Sequence, residues 1–125
     1  MCSYIGLMKT HELITSRKAL AESKLCAALA ALRTGDECRS FLRDLCTPTE
    51  LQAMAERWTV VEYLKRDLPY REVHRVTGVS LKTISRVAHA LANGNGGYAT
   101  ASRRLEEYRQ AVVLAAARVE GAGQG

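Results

Sequence analysis

Apolar residues along this chain repeat at intervals of three and four rather than two, which predicts helix after helix and no strand. Leu25, Cys26, Leu29 and Leu32 make the stripe of a first helix over about 9–32. Phe41, Leu42 and Leu45 mark a second, and Leu51, Met54, Trp58 and Val61 a third that runs to about Arg66. Val73, Val76 and Val79 belong to a fourth helix and the turn after it. Leu81, Ile84, Val87, Ala88 and Leu91 share one face of a fifth. Leu105, Tyr108, Val112, Ala115 and Val119 repeat along a last helix over about 98–119.

The polar punctuation agrees with this count. Thr34-Gly35 closes the first helix, with Gly35 as a C-terminal cap, and Asp36 is an N-cap for the second. Thr47-Pro48-Thr49-Glu50 is a capping box with proline at the first helical position. Pro69 opens the fourth helix and Ser80 caps the fifth. Asn93-Gly94-Asn95-Gly96-Gly97 breaks the chain before the last helix. Residues 1–8 are expected to be a flexible start, with Met8 an alternative to Met1, and residues 120–125 a flexible tail. The single domain expected between them covers residues 9–119.

The segment from 69 to 92 is the most informative. It reads helix, glycine turn, helix, with Gly78 at the bend. Val73, Val76, Val79, Ile84 and Val87 are the expected apolar clamp between the two helices. The opposite face of the second helix carries Lys82, Ser85, Arg86 and His89. A helix-turn-helix places such a donor-rich face in the major groove of DNA. The bland alternative is a helical hairpin with a solvated basic face.

Charge sharpens the picture. The chain carries +5 overall. Between Lys65 and Leu91 lie six lysines and arginines and two acids, a net +4. An anionic partner fits this imbalance. Of the four cysteines, Cys26, Cys38 and Cys46 sit among apolar helical residues and are expected to be buried free thiols of a reducing cytoplasm. Cysteine and histidine spacing gives no zinc pattern, so no metal and no cofactor is expected. No run is long enough to span a membrane. No nucleophile elbow, phosphate loop or paired carboxylates appear, which argues against an enzyme. Trp58 shares a face with Leu51, Met54 and Val61 and is expected in the core.

Several runs carry a resemblance. Asp44-Leu45-Cys46-Thr47, Glu50, Ala55-Glu56-Arg57, Tyr70, Thr77-Gly78-Val79-Ser80, Thr83-Ile84-Ser85-Arg86-Val87 and Asn93-Gly94-Asn95-Gly96-Gly97-Tyr98 resemble, in that order, the YerC/YecD group of the Trp-repressor superfamily. The likeness spans about residues 36–105. It implies an all-α, six-helix domain, an intertwined homodimer, and a bacterial transcription regulator that binds a pseudo-palindromic operator in double-stranded DNA on the nucleoid. The DNA-contacting positions it implies are Arg71, His74, Ser80, Leu81, Lys82, Ser85 and Arg86. His74 is either such a contact, gaining charge on binding, or a solvated surface histidine.

The resemblance also implies a pocket beside the reading helix, where Trp repressors proper hold tryptophan. Thr47, Arg57, Thr83 and Arg86 match it. Val87 stands where those repressors have glycine, and Ala90 where they have serine. A β-branched side chain fills space a flat indole needs, and alanine removes a partner for the ligand amine, so tryptophan is expected to bind weakly or not at all. Any effector is left unidentified. Besides a repressor or activator, two further readings stand: an architectural or replication-associated DNA binder, and a dimeric interaction module that has lost DNA binding. The first and last helices present more apolar surface than a domain this small covers by itself, which also predicts a homodimer.

Overall fold

The computed structural model describes the backbone of residues 10–123, and every described element is helical. The helices are α1 (Thr10–Ala31), α2 (Gly35–Leu45), α3 (Pro48–Lys65), α4 (Tyr70–Thr77), α5 (Leu81–Asn93) and α6 (Gly97–Gly123). The start expected to be flexible, residues 1–8, lies outside the described residues. So do the last two residues of the expected tail, Gln124 and Gly125. Glu120–Gly123, expected in that tail, continue α6. Each added residue closes one more backbone hydrogen bond on a helix already nucleated, which carries the helix past its last valine.

The described residues divide into two compact units, one up to Pro48 and one from Thr49 onward. In the first, α1 and α2 are joined by a three-residue connection. Thr34, not Asp36, is the N-cap of α2. Its Oγ1 accepts from the Glu37 N–H at 3.1 Å. Glu37 Oε2 accepts in return from the N–H groups of Thr34 (3.2 Å) and Arg33 (2.7 Å). This reciprocal box satisfies more orphan donors than an aspartate cap two residues later could. Gly35 is accordingly the first helical residue rather than a cap of α1. Leu20, Leu25 and Leu29 are exposed along α1. Cys26 is exposed, and Cys38 and Cys46 are half-buried. The expectation of buried thiols therefore fails, since the one on α1 is exposed and the two on and after α2 are only partly covered.

The second unit holds the core. Val60 and Val61 of α3, Val73 of α4, Val79 of the turn, and Ile84 and Val87 of α5 are all buried. Tyr63, Leu64, Leu68, Leu91 and Tyr98 pack against them. Each such burial removes about 1.5–3 kcal/mol of unfavourable hydration. Two members of the expected apolar face stand outside it: Val76 is 43% exposed and Leu81 48%. Val76 lies about 60° round the helix from Val73, while Thr77 lies closer to the buried line and is the half-buried residue. Leu81 starts α5, beyond the point where α4 covers it. Trp58 is likewise 38% exposed and stacks on Tyr98 of α6, ring centroids 6.3 Å apart. Lys65 Nζ donates to Ser102 Oγ at 2.7 Å and ties the same two helices. None of the described helices is long and apolar enough to cross a membrane.

This packing predicts a graded stability series. Ile84→Ala should cost about 2–5 kcal/mol by urea unfolding. Gly78→Ala should cost about 1–2 kcal/mol through backbone strain alone. Val76→Ala should stay within about 0.5 kcal/mol.

Candidate nucleic-acid interface

The turn between α4 and α5 is fixed by backbone conformation, then by side chains. Gly78 is left-handed (φ 73°, ψ 0°), and its N–H donates to the His74 carbonyl at 2.9 Å. A Cβ there would meet nothing within 4 Å, so glycine is needed for its φ and not for space. The next residue, Val79, is held on both sides. The Val79 N–H donates to Thr77 Oγ1 at 3.1 Å, and the Val79 carbonyl lies 2.6 Å from His74 Nδ1. Thr77 Oγ1 itself donates to the Val73 carbonyl at 2.6 Å. Ser80 then caps α5: its Oγ accepts from the Thr83 N–H at 3.2 Å and donates to Thr83 Oγ1 at 3.0 Å.

The start of α5 is thereby held with its outer side in solvent. Ser80, Leu81, Lys82, Ser85 and Arg86 are exposed there, and Arg71 and His74 are exposed on α4. The structure thus brings all seven expected contact residues onto α4, the turn and α5. Thr77 is the residue that sequence reasoning missed. The signal was present: a threonine two residues before the residue it bonds is the ST-turn pattern.

The cations of this region sort into two groups. Lys65 is engaged by Ser102, Arg66 by Glu62 (2.9 Å), and Arg75 by Glu72. The hydrogen bonds from Arg75 hold the Glu72 carboxyl below the usual glutamate range, and Glu72 raises the Arg75 guanidinium in turn. Arg71, Lys82 and Arg86 have no hydrogen-bond or ion-pair partner among the described residues. Three free cations on and beside a capped, exposed helix suit phosphates and base edges.

The residues expected at the pocket lie on several elements. Thr47 belongs to the first unit, and the other members lie on α3 and α5 of the second. Arg57 is half-buried, Thr83 is bonded to Ser80, Ala90 is half-buried, and Val87 is only 1% exposed within the core. A groove of about 680 Å³ between α3 and α6 is lined by other residues, among them Trp58, Glu62, Lys65, Ser102 and Arg109. Among the described residues no cluster of acidic, cysteine and histidine side chains could hold a metal ion.

Comparison with known proteins agrees with this geometry. The pattern of the Trp repressor protein family matches residues 22–106. The uncharacterized protein YerC of Bacillus subtilis (strain 168) is 37% identical over 84 residues, which is 67% of this chain and 81% of YerC. A crystal structure of a candidate Trp repressor from Staphylococcus aureus superposes with a TM-score of 0.66 at 33% identity. It covers 70% of this chain and 87% of that one. A TrpR-like protein from Eubacterium eligens ATCC 27750 gives 0.65 at 34% identity, over 70% and 90%. With its helix-turn-helix and its matched residues, this chain belongs to the Trp repressor family, whose members are DNA-binding regulators and not enzymes.

Proposed function

We propose that this protein is a sequence-specific regulator of transcription that binds double-stranded DNA as a homodimer. The observation that carries the reading is the sorting of charge. Arg71, Lys82 and Arg86 are left free on an ordered helix end, while Arg75 is occupied by Glu72. In this reading Lys82, Ser85 and Arg86 enter the major groove with Ser80 and Leu81 at the helix start, and Arg71 and His74 approach the backbone. Repression is the direction the family name favours, with the protein acting on the nucleoid in the cytoplasm. A paired, pseudo-palindromic operator follows from two copies of the motif.

The homodimer rests on uncovered apolar surface. Leu25 and Leu29 of α1 and Tyr108, Val112 and Val119 of α6 are exposed in the single chain. Apolar rows of this kind, one on each helix, mark an association surface on a small domain. Sedimentation at micromolar concentration should give twice the chain mass. A stable, fully helical monomer would refute this part.

The DNA contacts are tested by affinity against salt. Loss of one phosphate contact lowers the slope of log affinity against log salt by about 0.9. Lys82→Ala and Arg86→Ala together should lower affinity and slope, and an unchanged slope would exclude α5 as the reading element. A residue on a base edge should instead relax preference at one position by roughly 1–3 kcal/mol. Genomic footprinting then separates a regulator, with few strong sites, from an architectural or replication-associated binder, with many weak ones.

The reading includes no tryptophan dependence. Val87 is packed in the core, and Ala90 offers no polar atom to an amine. Titrating L-tryptophan to millimolar levels in a DNA-binding assay should leave affinity unchanged. A tenfold rise, about 1.4 kcal/mol of coupling, would show that a working pocket survives.

A further inference from the structure

The Val79 carbonyl dictates the chemistry of the His74 ring. A carbonyl oxygen only accepts, so the 2.6 Å contact requires the proton to be on Nδ1. Neutral His74 is therefore the Nδ1–H tautomer, and its Nε2 carries a bare lone pair. The residue is exposed, and Nε2 has no partner among the described residues. The charged and titratable groups on the two helices that meet at this turn are Tyr70, Arg71, Glu72 and Arg75 on α4 and Lys82, Arg86 and His89 on α5, where His89 lies 3.5 Å from the Asn93 amide. The one acid among them, Glu72, is engaged by Arg75.

We propose that His74 has two separate tasks: Nδ1–H holds the turn, and Nε2 joins the DNA backbone by taking up a proton. This rests on the DNA-binding reading above. A phosphate oxygen offers only lone pairs, so it meets a neutral Nε2 unfavourably. An imidazolium Nε2–H donates to it a charge-assisted hydrogen bond. The Nδ1–H is present in both protonation states, so the grip on Val79 does not change when the ring ionises. Protonation alters what the ring offers outward and leaves the angle of α5 alone.

The sign of the linkage follows. The bound state holds the extra proton, so affinity rises as pH falls and declines as pH rises. Full uptake of one proton per chain changes affinity by about tenfold per pH unit.

Two substitutions separate the tasks. In His74→Asn the side-chain amide N–H replaces Nδ1–H toward the Val79 carbonyl and nothing titrates. In His74→Gln the amide reaches the Nε2 position and leaves the carbonyl unbonded. Duplex affinity is measured from pH 8 to pH 6 at constant salt, with thermal unfolding alongside. The tautomer is read without DNA by long-range proton–nitrogen NMR of the ring. The wild type should gain at least about fivefold in affinity between pH 8 and pH 6, with the Nδ1–H tautomer at pH 8. His74→Asn should bind with no pH slope and keep the wild-type melting temperature. His74→Gln should also lose the slope but melt earlier, and it reads the slope alone if His74→Asn does not fold. A wild-type slope retained in these variants, or an Nε2–H tautomer, overturns this proposal and leaves DNA binding standing. Absence of wild-type binding to any duplex at any pH overturns the DNA-binding reading and this proposal together, while the tautomer result still shows whether the turn is held as described.

Discussion

Val79 is the residue on which the rest of this structure depends. Its side chain is buried against Val73, Ile84 and Val87, its N–H is bound by Thr77, and its carbonyl by His74. One residue earlier, Gly78 takes a left-handed conformation that reverses the chain. One residue later, Ser80 begins α5 with a side-chain cap. A helix of thirteen residues is marginal alone in water. Here its first turn is held by apolar packing, a cap and a residue hydrogen-bonded through both its N–H and its carbonyl, so its outer residues project from a defined platform. Rigidity of this kind lets short contacts to DNA be made without a large ordering cost.

Much of this was legible because helix punctuation is local. Pro48, Pro69, Gly78, Ser80 and the glycine run before Tyr98 each act on their own few residues, and the helix boundaries fell where those residues placed them. The exceptions are informative. Thr34 displaced Asp36 as a cap because a capping box needs its glutamate three residues later, and only Thr34 has one at that spacing. Val76 and Leu81 counted as core by spacing, yet a short helix covered by one neighbour buries a single line of residues. Periodicity names the apolar face of a helix. It does not say how much of that face a neighbour reaches.

The site was legible in part for the same reason. Which residues lie on the outer face of α5 follows from the 3.6-residue period. Which cations are free depends on pairs that spacing only permits. Glu72 and Arg75, and Glu62 and Arg66, stand three and four apart, as many residues of this chain do, and the side chains had to be placed before Arg75 could be told from Arg71. The tether between His74 and Val79 joins a helix to the residue after a turn, and no pattern in the sequence announces it. Thr77 was within reach of a closer reading, since a threonine before a glycine turn commonly bonds the backbone two residues on.

The distribution of burial links fold and function. Among the described residues the fully buried ones lie in the second unit, on α3, α4, the turn and α5, whereas α1 and the outer length of α6 carry large apolar side chains in solvent. The motif that would meet DNA is thus the best-packed part of the single chain, and the long helices are the least covered. The family pattern ends at residue 106, and the exposed positions Tyr108, Val112 and Val119 lie beyond it. Apolar surface left over after a core has closed is costly unless another surface covers it. In the homodimer proposed above, the chain's own core would orient α5 and its long helices would supply the association surface. Paired half-sites require both properties at once: a reading helix rigid within each subunit, and a spacing between two such helices set by the surface that joins them.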